Sequence, residues 1–246
     1  MSYFKKNLIT IFFTLSLCTS IFSQDVTRYI ILGPPGSGKG TLANNLSKKT
    51  SLPVITISQL LKNCPKQDPA CREIHENMQK GILIDDNHIL NVLKKELKKP
   101  IYHKGYIFDG YPRTLAQAQQ LAQEKLQITH VLIINISHQE IIERLSKRLV
   151  HSPSGRTYHT ENAPPKIEGL DDITQEPLTK RPDDHPSVVK ERLKTYEKLT
   201  RPIIAWAIQK QQSQDGSIQQ ISYIAANPNP EITYQNACEK LKLASH

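Results

Sequence analysis

The chain has 246 residues, of which 38% are apolar and 22% charged, which suits one α/β domain with small insertions, or two small domains, and excludes a disordered protein. Its formal net charge of +9 would suit contact with nucleotides, nucleic acid or anionic lipid, although an ordinary lysine-covered surface also explains it. With one Trp and no basic cluster interleaved with aromatic residues, a nucleic-acid groove is not expected. No stretch after the N-terminus approaches the roughly 20 apolar residues of a membrane helix.

The chain begins with a pattern typical of a secretory signal peptide. Lys5 and Lys6 precede an apolar run over residues 8–22, and the small residue Ser23 follows. We therefore expect residues 1–23 to be removed and the mature chain to be exported, to a periplasm or to the outside, without a membrane span. The alternatives are an extension that stays uncleaved and a misassigned start codon, which would leave the chain in the cytoplasm.

Three cysteines, Cys64, Cys71 and Cys238, would remain after cleavage. In a regular helix the seven residues from Cys64 to Cys71 would span roughly 10 Å, which is too far for a disulfide. Pro65 and Pro69 break a helix there, so a small disulfide-closed loop could form in an oxidising compartment. Two unpaired thiols are an equal alternative. The chain has no Cys-x-x-Cys pair, so a cysteine zinc site is not indicated.

Short apolar runs rich in β-branched residues alternate along the chain with segments of helical spacing. We predict strands over residues 29–32, 54–57, 106–108, 131–136 and 218–224. Between them, apolar residues share helix faces, for example Leu42 with Leu46 and Ile141 with Leu145. This alternation predicts a parallel sheet covered by helices on both faces. The polar segment 151–184, rich in Pro, Gly, Asp and Thr, is instead predicted to be an inserted functional flap.

The first predicted strand leads directly into a glycine-rich loop, Gly33–Thr41, and then into a helix. Glycines allow backbone N–H groups to point inward around phosphate oxygens, and the helix N-terminus adds its positive dipole end. Lys39 would supply a charge for the β- and γ-phosphates, and the Thr41 hydroxyl could reach Mg²⁺. The strict motif has Ser or Thr directly after the lysine, whereas here Gly40 intervenes. The strand–loop–helix context still predicts a phosphate-binding loop.

A second motif, Asp109-Gly110-Tyr111-Pro112-Arg113, follows the third predicted strand. Binding sites of parallel sheets lie beyond the carboxyl ends of the strands, so this turn is expected beside the glycine-rich loop. Asp109 could hold the water shell of a metal ion, and Arg113 could bind a phosphate. Taken alone, the motif could equally be an ordinary turn.

Together the two motifs resemble adenylate kinase, of the nucleoside monophosphate kinase family, and the resemblance extends over about residues 30–241. It implies a P-loop NTPase-type α/β fold over residues 27–246, in which a five-stranded parallel sheet carries two inserts. These are a monophosphate-binding insert at about 56–84 and a lid at about 147–184. The implied reaction moves the γ-phosphoryl group of Mg-ATP to AMP and gives two ADP. Mg²⁺ would accompany ATP, and the protein would be a monomer.

The resemblance also implies roles for individual residues. The catalytic residues would be Lys39, Asp109, Arg113 and Arg144. The ATP-binding residues would be Gly36, Ser37, Gly38, Lys39, Gly40, Thr41, Arg148, Thr157 and Tyr158. The AMP-binding residues would be Ile57, Lys62, Ile82, Leu83, Ile84, Gly110, Tyr111, Pro112, Arg113, Gln117, Arg181 and Arg192. The lid would be held by a polar network instead of structural zinc, formed by His151, Ser154, Asp171 and Thr174.

The acceptor side departs from the family pattern. The entrance of the monophosphate pocket normally reads Thr-Gly-Asp-x-x-Arg, but here Ile57 stands at the threonine and Lys62 at the arginine. Lysine keeps the charge and loses the bidentate fork, which predicts weaker AMP binding by about tenfold to a hundredfold. Two alternatives therefore stay open: a kinase for another nucleoside monophosphate, and a catalytically weak ATP-binding module.

Overall fold

The computed structural model describes residues 26–79, 84–126, 128–213 and 218–243. The predicted signal segment, residues 1–23, lies outside these ranges, and so do Ile82 and Leu83. Within them, the strands are β1 (Thr27–Leu32), β2 (Val54–Thr56), β3 (Gly105–Asp109), β4 (His130–Asn135), β5 (Arg148–Val150), β6 (Thr157–His159) and β7 (Gln220–Ala225). The α-helices are α1 (Lys39–Thr50), α2 (Ile57–Lys62), α3 (Pro69–Gln79), α4 (Asp86–Glu96), α5 (Leu115–Gln123), α6 (His138–Ser146), α7 (Pro186–Thr195), α8 (Pro202–Gln212) and α9 (Pro230–Lys240).

Five of the strands form one parallel sheet in the order β2-β3-β1-β4-β7. Its strands are apolar along most of their length because helices cover both faces. Along β1, Ile30 and Leu32 belong to one core cluster, whereas Tyr29 and Ile31 belong to the cluster on the other face. This is the alternation that a strand buried on both sides requires. The structure confirms the predicted α/β fold of the P-loop type.

The boundaries of the five sheet strands differ from the sequence prediction by one or two residues, as the second and last strands illustrate. Ile57 opens α2 instead of ending β2, because β2 is an edge strand whose pairing stops where Thr56 meets Asp109 of β3. The last strand begins at Gln220, two residues later than predicted, where its pairing with β4 starts at His130. No helix of the described ranges is long and apolar enough to cross a membrane.

A disulfide joins Cys64, in the turn after α2, to Cys71, in the first turn of α3, with the two Cα atoms 5.5 Å apart. Both side chains are buried in the core cluster that also contains Leu61 and Ile74. The ring Nε2 of His75 lies 2.9 Å from the carbonyl oxygen of Cys64, which ties α3 back to the turn. The structure thus selects the disulfide from the two alternatives that the sequence left open.

Loss of this disulfide should destabilise the chain. For Cys64→Ser combined with Cys71→Ser we expect a drop of about 2–3 kcal/mol in the free energy of unfolding, because the unfolded chain regains the freedom of an open loop. Urea unfolding measures it, with reductant as the internal control. Reductant should lower the midpoint of the parent chain and leave the double variant unchanged. An unchanged parent midpoint with both thiols titratable would contradict a stabilising role.

Candidate active site

The glycine-rich loop spans the interval between the end of β1 at Leu32 and the start of α1 at Lys39. Gly36 and Gly38 adopt φ angles of 81° and 92°, in the left-handed region that side chains rarely occupy. The Lys39 ammonium folds back and donates hydrogen bonds to the carbonyl oxygens of Gly33, at 2.7 Å, and Pro34, at 2.8 Å. The loop therefore forms a closed cradle in front of the helix N-terminus, where an anion is favoured.

The end of the third strand comes close to the glycine that follows the lysine. A Cβ atom on Gly40 would lie 3.1 Å from Oδ2 of Asp109, tighter than an ordinary contact. Thr41, one position further along, lines the cleft beside the loop. The close approach of the Asp109 carboxylate to α1 thus leaves little room for a side chain at position 40.

Several charged groups surround the Lys39 ammonium. Burial lowers the pKa of the Lys39 ammonium to about 8, while the Asp109 carboxylate acts in the opposite direction. The positive charges of Arg113, Arg192 and Arg148 lower the Lys39 pKa further, so these guanidinium groups lie near enough to act on it. Burial also raises the pKa of Asp109, against the influence of Lys39 and Arg113. The site thus has an excess of positive charge, which suits a polyanionic substrate.

Two adjacent aspartates, Asp183 and Asp184, hold three of the arginines. Arg148 donates to Asp184 through Nε at 2.8 Å and Nη2 at 2.5 Å. Arg192 donates to the backbone carbonyl of Asp183 at 3.0 Å, and Arg181 forms an ion pair with the Asp183 carboxylate at 2.8 Å. Neither aspartate was predicted to have a role. The available signal was two consecutive acidic residues separated by one proline from a predicted phosphate-binding arginine.

Beside the loop lies a solvent-open cleft. Its lining includes the predicted ATP residues Gly36, Ser37, Gly38, Thr41, Arg148, Thr157 and Tyr158. Arg144 lines it too, and donates to the carbonyl oxygen of Asn227 at 3.1 Å. The loop before α9 forms another wall of the cleft. This loop is held to α9 by the Asn227 N–H, which donates to Thr233 Oγ1 at 2.9 Å. This wall was not predicted.

The first of the predicted acceptor residues lie in α2 and in the segment before α4. Ile57 and Ile84 are partly buried, and each packs on the core cluster that contains Leu61 and Phe108. Lys62 ends α2 with its side chain exposed. Neighbouring Ile82 and Leu83 lie outside the described residues.

The turn after β3 contributes the next group of predicted acceptor residues. Gly110 has a φ of 71°, and the peptide bond between Tyr111 and Pro112 is cis. Arg113 Nε donates to the Gly110 carbonyl at 2.9 Å, which directs the guanidinium back over the turn. Gln117 is buried in the first turn of α5, where its side chain contacts the Arg113 backbone.

The polar segment contains a two-stranded antiparallel ribbon, β5–β6, and a hydrogen-bond network around the buried side chains of His151 and Asp171. His151 contacts Ser154 Oγ through Nδ1 at 2.6 Å and Glu176 Oε2 through Nε2 at 2.6 Å. Thr174 Oγ1 donates to Asp171 at 3.1 Å and lies 3.3 Å from His151 Nε2. All four predicted lid residues therefore meet in one network, which Glu176 extends.

Asp171 is the centre of that network and is fully buried. It accepts two hydrogen bonds from the Arg156 guanidinium, at 2.8 and 2.6 Å, and one from the Tyr158 hydroxyl at 2.9 Å. The Arg156 bonds hold the pKa of the Asp171 carboxyl well below its usual range. Arg156 was not predicted, and Tyr158 has a lid contact besides lining the cleft. Among the described residues, no group of three or more His, Cys, Asp or Glu is placed to hold a metal ion.

A phosphate loop on a parallel sheet, facing a cluster of arginines, defines a P-loop phosphotransferase. The family model for adenylate kinase matches residues 31–212, which is 182 of the 246 residues. The chain therefore belongs to the adenylate kinase family, whose members are nucleoside monophosphate kinases that bind ATP. This confirms the family resemblance noted from the sequence.

Proposed function

We propose that the chain transfers the γ-phosphoryl group of Mg-ATP to AMP and releases two ADP. The observation that carries the proposal is the grouping of Asp109, Arg113, Arg148 and Arg192 around the Lys39 ammonium of the glycine-rich loop. Phosphoryl transfer needs alignment and neutralisation of the oxygens of the moving group more than it needs covalent participation. A protein that only bound ATP would have no need of arginines on the acceptor side of the loop.

On the donor side, backbone N–H groups of residues 36–41 would bind the ATP phosphates, with Lys39 on the β- and γ-phosphates. Arg144, Arg148, Thr157 and Tyr158 would bind the rest of ATP in the cleft. The Thr41 hydroxyl and the Asp109 carboxylate present oxygen donors of the kind that Mg²⁺ prefers, directly or through water. When bound, Mg²⁺ supplies charge neutralisation at the phosphates.

On the acceptor side, Lys62, Arg113, Arg181 and Arg192 would bind the AMP phosphate and the moving group. Gln117 would bind the base, near the residues Ile57, Ile84 and Tyr111. We also propose that residues 56–84 and 147–184 form the acceptor insert and the lid, that the lid is held without zinc, and that the protein works as a monomer.

The test is ADP formation from ATP alone and from ATP with AMP, CMP, UMP or GMP. The proposal predicts AMP-dependent ADP formation that needs Mg²⁺. Turnover with another monophosphate but not with AMP would favour a kinase for that other nucleoside monophosphate. ATP binding without ADP formation for any acceptor would favour an ATP-binding module and would overturn the proposal.

Restoring the guanidinium at the acceptor entrance should tighten AMP binding. For Lys62→Arg we expect the AMP KM to fall by about tenfold, because a bidentate fork replaces a single point charge, while kcat and the ATP KM stay unchanged. Lys66→Arg, at another exposed lysine of the same insert, is the matched control. An unchanged AMP KM in Lys62→Arg would place Lys62 away from the phosphate.

We propose, further, that residues 1–23 direct export and are cleaved. The disulfide between Cys64 and Cys71 supports an oxidising compartment, because thiols stay reduced in most cytosols. The intact mass of protein from the producing cells tests this, since cleavage predicts a chain that begins at Gln24. A full-length chain in the cytoplasmic fraction would refute export.

A further inference from the structure

The side-chain amide of Gln117 is held from two sides. Its Oε1 accepts a hydrogen bond from the backbone N–H of Arg113 at 2.7 Å, and its Nε2 donates to Oδ1 of Asp86 at 2.6 Å. Asp86 stands at the start of α4, and Gln117 in the first turn of α5, so the contact spans two helices that are separate in the chain. Gln117 is buried, with 7% of its surface exposed.

The chemistry of these partners fixes which way the amide faces. A backbone N–H can only donate, so it requires the oxygen, and an ionised carboxylate can only accept, so it requires the NH₂ group. A flipped amide would set oxygen against carboxylate and NH₂ against N–H, leaving buried polar groups unpaired. In the observed orientation, one N–H of Nε2 and one lone pair of Oε1 remain for a ligand.

We propose that Asp86 is a specificity-determining residue. It fixes the orientation of the Gln117 side-chain amide, so that this amide recognises bases with an amino group beside an unprotonated ring nitrogen. Such a base offers an acceptor to Nε2–H and a donor to Oε1, as adenine and cytosine do. Guanine, hypoxanthine and uracil offer the reverse pattern, an oxo group beside a protonated ring nitrogen. The inference rests on the proposed function, which places the acceptor base at Gln117.

A purely structural role for the same contacts is the competing explanation. Thr114 is the N-cap of α5 and accepts from the Gln117 backbone N–H at 3.2 Å, so Gln117 holds the third helical position of a capping arrangement. If Asp86 only supported this cap, its loss would lower stability and would affect all acceptors alike. Selectivity between two bases of the same shape separates the two roles.

The experiment compares AMP with inosine monophosphate as acceptors in the full chain and in Asp86→Asn. The two acceptors share the purine frame and differ at the amino or oxo group and the neighbouring ring nitrogen. The parent should prefer AMP in kcat/KM by about a hundredfold, because the wrong pattern leaves buried groups unpaired. An asparagine amide can itself turn to donate or accept, so Asp86→Asn should reduce that preference about tenfold, with kcat for saturating AMP and the ATP KM retained.

Asp85→Asn is the matched control, because Asp85 is an exposed neighbour that caps α4, and asparagine caps equally well. It should leave the AMP preference unchanged. An equal loss for both acceptors in Asp86→Asn, or no change in their ratio, would overturn the positioning role. A parent that uses AMP without preferring it to inosine monophosphate would overturn the orientation argument alone. A parent that phosphorylates neither would overturn the proposed function itself.

Discussion

Replacing Arg113 by alanine should lower kcat by about 10²–10³-fold, the usual effect of losing one preorganised group that stabilises developing charge. Arg113 follows β3, its Nε bonds the Gly110 carbonyl, and its charge acts on both Lys39 and Asp109. A contact that strengthens in the transition state affects kcat more than KM. Steady-state kinetics with ATP and AMP both varied would measure the split.

Arg201→Ala is the matched control for this variant, because Arg201 is exposed and its guanidinium pairs with Glu197 on the protein surface. We expect its kcat to equal that of the parent. Near-normal turnover in Arg113→Ala, with thermal stability unchanged, would remove Arg113 from the transfer step.

Replacing Lys39 by methionine should reduce kcat/KM by on the order of 10³-fold, since a buried ammonium at the transferred phosphates has no substitute. Methionine fills a similar volume and lacks the charge, so the loop glycines can keep their conformation. Lys48→Met, at an exposed position of the same helix, should behave like the parent. If both variants were equally active, Lys39 would not contact the phosphates.

Because the pKa of Lys39 is lowered, ATP binding should depend on pH in the range where this ammonium titrates. In the free protein its pKa is about 8, so the ammonium loses its proton as the pH rises through 8. Bound phosphates favour the charged form and raise the pKa, so ATP binding should take up a proton near pH 8.5 and weaken at higher pH. Calorimetric titration of ATP in two buffers of different ionisation enthalpy measures the uptake. Lys39→Met should abolish it, and an uptake that persists in this variant would assign the proton to another group.

The sequence by itself determined the fold class and the position of the glycine-rich loop. Gly33–Thr41 carries its own geometry, because two glycines with positive φ, a lysine and a helix start are adjacent in the chain. The turn after β3 is local in the same way. In a parallel sheet the glycine-rich loop and the turn after β3 both lie at the carboxyl edge of the strands. The sequence alone therefore predicts that the loop and the turn are neighbours.

Only the tertiary structure decided the contacts between distant segments. The disulfide depended on how the turn between α2 and α3 brings two Cα atoms within 5.5 Å. The tight space at Gly40 depended on the approach of Asp109 from β3. The orientation of Gln117 depended on Asp86, 31 residues away. Local patterns specify backbone conformation and helix faces, whereas these contacts arise from the packing of elements against one another, which no spacing in the sequence encodes.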